Sequence, residues 1–532
     1  MKILTDTGLV AFWNKIKQLV LGNRPYNPSE FSGKGYKVLE KNIQTVGAVK
    51  KNILTAVMLS KANTIYEIRY DFDLGGKTIE MKEGCILKFE GGILYNGKIK
   101  GNNTKVEANI TRIFGEYFLL EGTFDVAEGY AEWFGAQSDG INDDRYSIQC
   151  AINSFDIVRL LNKGYLIDSL SDNINKIALI VPVGKSIRGS YNRQPYENDI
   201  VRTIRLGNNI VPKKIIELAG KNYIGNIGIS GNSKNNDTIS QVGIGTVDDT
   251  SRIKLEMIAI DNTYYGIDIC AWETILTQCS CSYNTVGIRV KGVFNNSTLK
   301  TQETSTTLIN CYVGSSLGYA YYIHGMTYST LINCSADNCG WGIDKGTISD
   351  STAKQIFAIQ NCRSISLINC ACEYGVKVAY ITSSEHIVFD NCNFLLKSDG
   401  LENDFAYTKV IDFRYSNDVK FRNCIISGTD LSSKKWIYSE NENKHKSLLN
   451  IVDCNFPFKK SLYFITSNVT FGYQESIESI AVLTTCNRSI NSRFTPSPMD
   501  IGVSYFDKSL NPPRPIWWTG EKWINADGTD IQ

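Results

Sequence analysis

The strongest pattern along the chain is a run of Leu, Ile, Val or Phe that ends in Asn-Cys or a close variant. Three copies read Leu-Ile-Asn-Cys. With the looser copies included, the seven motif cysteines are Cys279, Cys311, Cys334, Cys370, Cys392, Cys424 and Cys454. Subtracting successive positions gives spacings of 32, 23, 36, 22, 32 and 30 residues. A short strand that returns every ~20 to 30 residues predicts a solenoid whose longer repeats carry insertions.

The composition of the repeats indicates the kind of solenoid. The copies are rich in Ile, Val, Thr, Cys and Tyr, and they lack the spaced leucines and helical stretch of leucine-rich repeats. A second motif, Gly-Ile followed by a polar residue, recurs between the copies at residues 266–269, 287–290 and 342–344. Two strand types in each repeat predict a coil with several faces, and therefore a parallel β-helix.

Stacking of the coils gives the Asn-Cys pair a structural role. Neighbouring strands lie ~4.7–4.9 Å apart, so each residue of the motif lies against its counterpart in the next coil. We expect the cysteines to form a buried column of small hydrophobic side chains. We expect the asparagines to form an amide ladder at a turn. The pattern disfavours a redox role for these cysteines.

Different patterns occupy the two ends of the chain. Residues 7–21 place six apolar side chains at helical spacing, which predicts a short amphipathic helix that needs a partner to be stable. Between residues 66 and 130, strand-like runs separated by Gly and Asn turns predict the first β-coils. Near the C-terminus, Pro512, Pro513 and Pro515 lead into a cluster of tryptophans.

These patterns together predict an all-β chain. Its main body is a right-handed, single-stranded parallel β-helix, preceded by a short helix and followed by a small tip. We divide the chain into five segments on this basis. They are an anchoring helix at 1–24, a linker or neck at 25–65, small β-coils at 66–130, the main β-helix at 131–475, and a tip of strands and tryptophans at 476–532.

Composition and charge exclude several classes of function. The 532 residues include 56 basic and 54 acidic side chains, a net charge of +2, without a basic block, so we expect no nucleic-acid partner. No stretch approaches the ~18 apolar residues of a membrane-spanning helix, so we expect no membrane partner. Asp6 and Lys15 interrupt the N-terminal apolar run, which does not read as a signal peptide. We therefore expect the chain to fold in a cytoplasm.

The cysteines and histidines do not predict a metal site. The 15 cysteines are an odd number, and a reducing compartment disfavours disulfides. The histidines, His324, His386 and His445, are far apart, and no CxxC pair accompanies them. A structural zinc ion needs convergent ligands. We accordingly predict no metal and no cofactor.

One segment resembles an enzyme superfamily. Residues 135–152 read Gly-Ala-Gln-Ser-Asp-Gly-Ile-Asn-Asp-Asp-Arg-Tyr-Ser-Ile-Gln-Cys-Ala-Ile. They resemble the GAxxDGxxDDTxAIQxAI opening of the pectate-lyase superfamily, with Arg145 and Ser147 in place of the usual Thr and Ala. The resemblance implies a pectin-lyase-like β-helix and says little about chemistry. Its aspartates are expected to shape a turn and to cap the helix that closes the end of the β-helix.

Two further segments resemble phage tail proteins. Residues 34–36 and 65–78 are similar to the front portion of tail proteins from phages of gut Bacteroidetes. Residues 502–507 followed by 515–523 resemble the GxxYFD and PIWWNGxxW tail at the C-terminus of many phage tail fibres. The combination implies a tail spike or tail fibre of a virion, synthesised in the cytoplasm of the host.

Such a protein is expected to be a homotrimer that binds glycan on the host surface. Residues 1–24 are expected to attach it to other virion proteins. The cluster of Trp517, Trp518 and Trp523 is then expected at the far end, where it either folds over the last coil or binds sugar.

β-Helices of this resemblance that cleave polysaccharide commonly use acidic pairs on the outer wall. Glycoside hydrolysis requires two carboxylates, about 5–5.5 Å apart for retention and ~6.5–9.5 Å for inversion. Three residues after the first four motif cysteines come Ser282, Gly314, Asp337 and Glu373. Asp337 and Glu373 are therefore our first catalytic candidates, in one register on neighbouring coils, with an exposed polar turn as the alternative. Trp341 and Tyr374 lie near them in sequence as sugar-stacking candidates.

A second set of candidates precedes the first along the chain. Asp268 and Glu273 form an alternative carboxylate pair beside Trp272. Tyr264 and Tyr265 are candidates for a glycan platform, with the core or a contact between subunits as alternatives. The same three possibilities hold for Tyr319, Tyr321 and Tyr322.

Three functions remain open at this point. The chain is an adhesin of the virion, a polysaccharide depolymerase on the same spike, or a free bacterial polysaccharide lyase or hydrolase. A lyase would need Arg or Lys as its base, for which Arg289 and Lys291 are candidates. The N-terminal pattern, which reads as an anchor and not as a signal peptide, disfavours the free enzyme.

Overall fold

A computed structural model gives the structure of this chain. It describes residues 33–161, 164–190, 203–232, 240–340, 355–375, 377–396, 409–428, 435–440, 447–452, 454, 469–472, 504–507, 514–519, 521–524 and 529–530. The predicted N-terminal helix and Trp341 lie outside these residues. Two compact units are present. The first extends to Gln137 and includes Tyr146–Arg159; the second contains Ser138–Arg145 and continues from Leu160.

The first unit consists of short strands and turns. Its strands are Gly35–Val38, Ile43–Val46, Val49–Asn52, Thr64–Ile68, Phe72–Asp73, Thr78–Glu80, Ile86–Phe89, Leu94–Tyr95, Gly97–Glu107, Phe118–Phe124, Gly129–Tyr130 and Ile157–Leu160. Its helical elements are two 3-10 turns, Ala56–Leu59 and Ala131–Phe134, and the α-helix Arg145–Ser154.

Parallel pairing links the strands of the first unit into small coils. Gly35–Val38, Thr64–Ile68, Ile86–Phe89 and Gly97–Glu107 pair in that order, all in parallel. The strands thus begin at Gly35, within the segment that the sequence pattern assigned to a linker. The first strand is only four residues long, which is too short for alternation to reveal it.

Aromatic packing and charge pairing stabilise these coils. Inside, the rings of Phe114 and Phe118 stack with their centroids 4.8 Å apart. On the sheet, Glu67, Lys88 and Glu107 occupy one register on three neighbouring strands. Opposite charges at such cross-strand positions stabilise a sheet.

The motif that resembles the opening of pectate-lyase β-helices forms a turn followed by a helix. The Asp143 carboxylate accepts hydrogen bonds from the backbone N–H of Arg145 at 3.1 Å and of Asp168 at 3.0 Å. Asp144, which is buried, accepts one from the N–H of Ser138 at 3.1 Å. The aspartates therefore hold the turn at the start of the helix, as the resemblance implied.

Across the described ranges, no helix has the length and apolarity to span a membrane.

The second unit is a stack of coils whose strands form three walls. Wall 1 consists of Ile177–Val181, Lys214–Leu218, Val242–Thr246, Tyr265–Ile269, Val286–Lys291, Tyr321–His324, Gln355–Gln360, Lys377–Thr382, Lys409–Arg414 and Lys435–Glu440. Wall 2 consists of Ser186–Gly189, Tyr223–Ser230, Lys254–Asp261, Thr274–Thr277, Thr306–Ile309, Met326–Ile332, Arg363–Ile368, Glu385–Asp390, Asn417–Arg422, Ser447–Val452 and Val469–Gly472.

Wall 3 completes each coil. It consists of Asp139–Asp143, Gly164–Ile167, Ile204–Leu206, Ser280–Ser282, Tyr312–Gly314, Ser335–Asp337, Ala371–Gly375, Asn393–Leu396 and Ile425–Gly428. The two longest strands of wall 2 bend into wall 3 and pair there as well. The remaining short strands of this part are Thr250–Ser251, Ala271–Trp272, Val293–Asn295, Thr298–Thr301 and Glu303–Thr304.

Each strand of a wall pairs in parallel with the strand of the next coil. In wall 1, for example, Ile216, Ile244, Ile267, Ile288 and Tyr321 share one register. The predicted parallel β-helix is therefore confirmed. We assign it the right-handed sense that parallel crossover connections adopt.

The Asn-Cys motif turns the chain from wall 2 into wall 3. The backbone of Asn310, Asn333, Asn369, Asn391 and Asn423 is left-handed, with φ between 52° and 54°. Asparagine adopts this conformation more readily than most residues. The side-chain amide of Asn333 donates to that of Asn310 at 3.2 Å, and Asn391 donates to Asn369 at 2.6 Å. The predicted amide ladder is confirmed.

The motif cysteines form the predicted buried column beside this ladder. From Cys279 to Cys424, each is at most 1% exposed. The 14 described cysteines are all free thiols. Burial raises the thiol pKa of two further cysteines outside the motif, Cys339 and Cys362, to about 12. These two thiols are therefore protonated packing groups at neutral pH.

Aligned apolar side chains fill the interior of the solenoid. Leu308, Leu331 and Leu367 share one register and are each at most 1% exposed. Phe389 and Phe421 continue the column, with their rings stacked 4.5 Å apart. Burial of one such side chain contributes roughly 1.5–3 kcal/mol.

A small antiparallel sheet represents the predicted C-terminal tip. It pairs Ser504–Asp507 with Arg514–Trp518, and the latter with Trp523–Ile524. Two of the three tryptophans, Trp518 and Trp523, are opposite each other across two of these strands.

Candidate functional site

Asp337 and Glu373 lie at equivalent positions on neighbouring strands of wall 3. The register of this wall runs from Ser282 through Gly314 to Asp337 and Glu373, one residue in each coil, as predicted. Adjacent strands are ~4.8 Å apart, and retaining glycosidases hold their carboxylates ~5–5.5 Å apart. Glu373 is exposed and Asp337 is half-buried. Their catalytic role stays a prediction.

Two exposed tyrosines follow this column at the corner that leads into wall 1. Tyr283 and Tyr374 come directly after residues of the column and are 66% and 50% exposed. Their φ angles are 56° and 53°, a left-handed conformation that costs a non-glycine residue roughly 1–2 kcal/mol. Ser315 and Asn338 occupy the same corner between them and share this conformation. The corner thus presents two rings with carboxylates, a hydroxyl and an amide between them.

Asp268 lies on wall 1, where Arg289 of the next coil neutralises it. The Nε and Nη2 atoms of Arg289 donate to the two carboxylate oxygens of Asp268 at 2.7 and 2.6 Å. The guanidinium also lies 3.8 Å from the ring centroid of Tyr265 and donates to its hydroxyl at 2.9 Å. The side chains of Arg289 and Asp268 are only 19% and 8% exposed. Because both oxygens of Asp268 are occupied, this carboxylate is suited to positioning Arg289.

Tyr322 and His324 continue this face of wall 1 on the following coil. The His324 Nδ1 lies 3.1 Å from the Tyr322 hydroxyl, and its Nε2 lies 3.0 Å from the amide nitrogen of Asn361. An amide nitrogen can only donate, so Nε2 accepts and Nδ1 carries the proton. The Tyr322 hydroxyl then accepts from His324 and donates to the Gln360 amide oxygen at 3.1 Å. The hydrogen bonds run in one direction along the face.

These groups keep fixed protonation states near neutral pH. Burial, reinforced by Arg289 and Lys291, lowers the pKa of His324 to about 4. Burial raises the pKa of Tyr265 and of Tyr322 to about 12. The imidazole and the two phenols are therefore all neutral, and the face presents a constant pattern of donors and acceptors.

The structure does not bring Asp268 and Glu273 together as a carboxylate pair. Asp268 belongs to wall 1, whereas Glu273 precedes a strand of wall 2 and pairs with Arg252 at 2.8 Å. Trp272 is 36% exposed, and the same Arg252 lies 5.8 Å from its ring centroid. Trp272 and Glu273 thus form a separate surface group with Arg252.

The remaining aromatic candidates divide between surface and core. Tyr264 packs against Tyr265 with ring centroids 4.7 Å apart, next to Arg289. Tyr321 instead points into the core, where its ring stacks on that of Phe357 at 5.3 Å. Trp341 lies outside the described residues. Among the side chains that the structure describes, no three of the His, Cys, Asp or Glu type come together as a metal site.

Comparison with known proteins finds similar chains among the solved structures. No family model matches the chain, and no curated protein matches it. The enzymatically active domain of tailspike protein 2 of bacteriophage CBA120 is 14% identical, with a TM-score of 0.46, over 65% of this chain and 51% of that one. The chain therefore spans about half the length of that structure.

Two further solved structures are similar to this chain. The gp42 tailspike of Acinetobacter phage vb_AbaP_AS12 is 13% identical, with a TM-score of 0.46, over 74% of this chain and 75% of that one. PfbA, a surface adhesin of Streptococcus pneumoniae, is 10% identical, with a TM-score of 0.38, over 65% and 93%. Phage tail spikes are thus among the structures to which this chain is similar.

Sequence reasoning did not assign Tyr283 or His324 to a site. Tyr283 follows Ser282, so counting one residue further from the motif cysteines leads to it. The Gly-Ile motif carries a further signal, because it aligns Asp268 with Arg289 on successive coils. Opposite charges at matching positions of adjacent repeats indicate an ion pair across the stack.

Proposed function

We propose that the chain is a phage tail spike or tail fibre, a virion protein that binds polysaccharide on the surface of its host. The segments that resemble phage tail proteins at both ends support this identity. The observation that carries the binding function is the corner between walls 3 and 1. There Asp337 and Glu373 lie in one register of wall 3. The exposed Tyr283 and Tyr374 lie one residue further along the chain, in the column beside it.

This corner has the chemistry of a sugar-binding surface. Exposed tyrosine rings stack on the apolar faces of sugars, and carboxylates accept hydrogen bonds from sugar hydroxyls. Tyr283 and Tyr374 are three strand spacings apart along the solenoid, about 14 Å. A glycan that contacts both rings therefore runs along the solenoid axis, past the small polar side chains of Ser315 and Asn338.

Binding to polysaccharide isolated from the host tests this function. We expect Tyr283→Ala and Tyr374→Ala each to weaken affinity, measured by calorimetry, roughly 3- to 10-fold. Tyr117→Ala is the matched control, because Tyr117 is 79% exposed but belongs to the first unit. Wild-type affinity in both corner variants would contradict the site. Absence of binding to any polysaccharide of the host would contradict the function.

The register of Asp337 and Glu373 supports a second function, cleavage of the bound polysaccharide. Carboxylates one strand spacing apart, ~4.8 Å, suit a retaining glycosidase, in which one is the nucleophile and the other the general acid and base. Incubation with host capsule separates the two functions. New reducing ends that disappear in Asp337→Asn and Glu373→Gln indicate a hydrolase, and absorbance from unsaturated sugars indicates a lyase. Intact capsule indicates an adhesin.

We further propose that the spike is a homotrimer made in the host cytoplasm and joined to other virion proteins through residues 1–24. The free thiols of the described residues suit folding in a reducing compartment. Deletion of residues 1–24 should leave a folded protein that no longer joins virions. Normal incorporation of the truncated protein would exclude this anchor.

A further inference from the structure

The outward face of wall 2 carries a band of uncharged side chains that the proposed glycan site does not use. Nine residues in two columns on five successive coils form this wall 2 band: Ile275, Thr277, Thr307, Ile309, Thr330, Ile332, Ser366, Ile368 and Val388. Ile275 is 44% exposed and the others are half-buried. Most are β-branched, which makes the face flat and stiff.

Ion pairs close the wall 2 band at both ends. Lys254 pairs with Glu256 at 3.0 Å on the coil before it, and Arg422 pairs with Asp390 at 2.9 Å at its other end. Beside the band, Tyr328 of the same wall is 67% exposed. A further ion pair, Arg363 with Glu385 at 2.9 Å, lies beside the band on two of its coils. The absence of charge is therefore confined to the two columns of the band over five coils.

The other two walls differ from the band in their outward chemistry. Wall 1 carries the Asp268–Arg289 ion pair, and wall 3 carries the carboxylates of Asp337 and Glu373. An uncharged face packs best against another uncharged face. A charged partner would lose the hydration of its charge without gaining an opposite charge. Along the three walls as described, the face that meets this requirement is the band itself. A second copy of the chain therefore offers the matching surface.

A glycan fits the wall 2 band less well than a protein does. The band offers only the hydroxyls of Thr and Ser as polar groups, with Tyr328 as the aromatic residue at its edge. Sugar sites instead combine aromatic side chains with several directed polar groups. A flat apolar centre with a charged border is the arrangement of a protein interface, whose core is apolar and whose rim is polar.

We infer that the wall 2 band is the contact between subunits, with the bands of sister chains packed around a common axis. This inference rests on the homotrimer of the proposed function and names the surface that forms it. Five coils span four strand spacings, about 19 Å, which is the length of an interface core. The ion pairs Lys254–Glu256 and Asp390–Arg422 then lie in the rim.

Hydroxyl-radical labelling of the wild-type protein tests the inference without a mutation. Tyr328 and Tyr283 are matched probes, because they are 67% and 66% exposed on a single chain. If the band is the interface, Tyr283 is labelled several-fold faster than Tyr328 in the assembled protein. Equal labelling in a trimer overturns the inference and leaves the trimer standing. Protection of Tyr328 that requires added polysaccharide also overturns it, since the band would then bind glycan.

A charge placed in the centre of the band provides the second test. Thr330→Arg should lower the mass measured by light scattering from three times 59.5 kDa to 59.5 kDa. Ser335→Arg is the matched control, because Ser335 is a half-buried hydroxyl residue on wall 3 of the same coil. It should remain trimeric. A trimeric Thr330→Arg variant overturns the inference, and a monomeric wild-type protein overturns both the trimer and the inference.

If Thr330→Arg fails to fold, the labelling of the wild-type protein decides alone. Far-ultraviolet circular dichroism distinguishes the two cases, because a dissociated but folded chain keeps its strand signal. The glycan proposal is tested by affinity and the interface by mass and labelling, so failure of one does not imply failure of the other.

Discussion

Asp337 and Glu373 occupy matching positions on adjacent coils, and neither carboxylate forms an ion pair with a described cation. Elsewhere the chain does pair such charges: on the next coil, Glu385 binds Arg363 at 2.9 Å. Like charges at directly opposite positions destabilise a sheet. An unfavourable pair of carboxylates kept at one corner is the kind of local cost that functional sites carry.

Removing one of these charges should stabilise the chain. We expect Glu373→Gln to raise the free energy of unfolding by about 0.5 kcal/mol, because it relieves the repulsion with Asp337. Urea denaturation measures the change. Glu385→Gln is the control and should bring no gain, since it removes the ion pair with Arg363. A less stable Glu373→Gln variant would show that the carboxylate has a favourable partner.

Glu303 should make the stability of the fold depend on pH. It is 3% exposed, and its Oε1 atom has no hydrogen-bond partner. Burial, and then the nearby Asp249, raise its pKa to about 7. The folded chain therefore holds this proton more tightly than the unfolded chain, whose glutamates have pKa values of about 4.3. The stability that the protonated Glu303 contributes is fully present below about pH 4.3, and it is lost as the pH rises through about 7.

The variant Glu303→Gln tests this dependence, because an amide cannot ionise. At about pH 8 it should be more stable than the wild type by up to about 3 kcal/mol, and at about pH 4 the two should be similar. Thermal unfolding at several pH values gives the comparison. Parallel curves for Glu303→Gln and the wild type would refute the buried-acid account.

Breaking the ion pair between Asp268 and Arg289 should lower the free energy of unfolding more than replacing both residues by apolar ones. Asp268→Asn leaves the largely buried guanidinium without its counter-charge, so we expect a loss of about 3 kcal/mol. The double variant Asp268→Leu with Arg289→Met removes both charges and should lose less. Denaturant titration of the three proteins tests the order. The idea fails if the single variant is as stable as the wild type.

The cysteines should resist modification in the folded protein. Of the 14 described cysteines, 13 are buried and Cys454 is partly exposed. A reagent must reach the sulfur to react with it, and burial denies access to those 13 thiols. Iodoacetamide followed by peptide mass mapping should therefore find Cys454 modified before the others. Rapid native labelling between Cys279 and Cys424 would contradict the buried column.

The repeat allowed one wall and its corner to be predicted from the sequence. Each Asn-Cys pair makes the same left-handed corner, so counting from the cysteines keeps the register of wall 3. That count placed Asp337 beside Glu373, and one residue further it reaches Tyr283. It succeeded because the corner has the same length in each of these coils.

The register of wall 1 was harder to predict from the sequence, because the number of residues that precede its strands varies from coil to coil. The register from Asp268 through Arg289 to Tyr322 is lost when one counts from the cysteines. The contacts of His324 with Tyr322 and Asn361 depend on side-chain rotamers in two coils, which no spacing encodes. The burial of Glu303 likewise depends on the exact path of a short strand.

The links that join one wall to the next differ in whether their length varies from coil to coil. The link from wall 2 to wall 3 is two residues long wherever an Asn-Cys or Gln-Cys corner joins described strands. The link from wall 3 to wall 1 ranges from one residue, between Gly375 and Lys377, to 17 residues, between Asp337 and Gln355. The link from wall 1 to wall 2 varies as well, from one residue between His324 and Met326 to 14 residues between Lys291 and Thr306. Differences in length thus fall at the two corners that flank wall 1, while the Asn-Cys corner keeps one length and holds walls 2 and 3 in register. If the proposed glycan site at Tyr283 and Tyr374 is correct, a loop beside it can change in length without shifting that register.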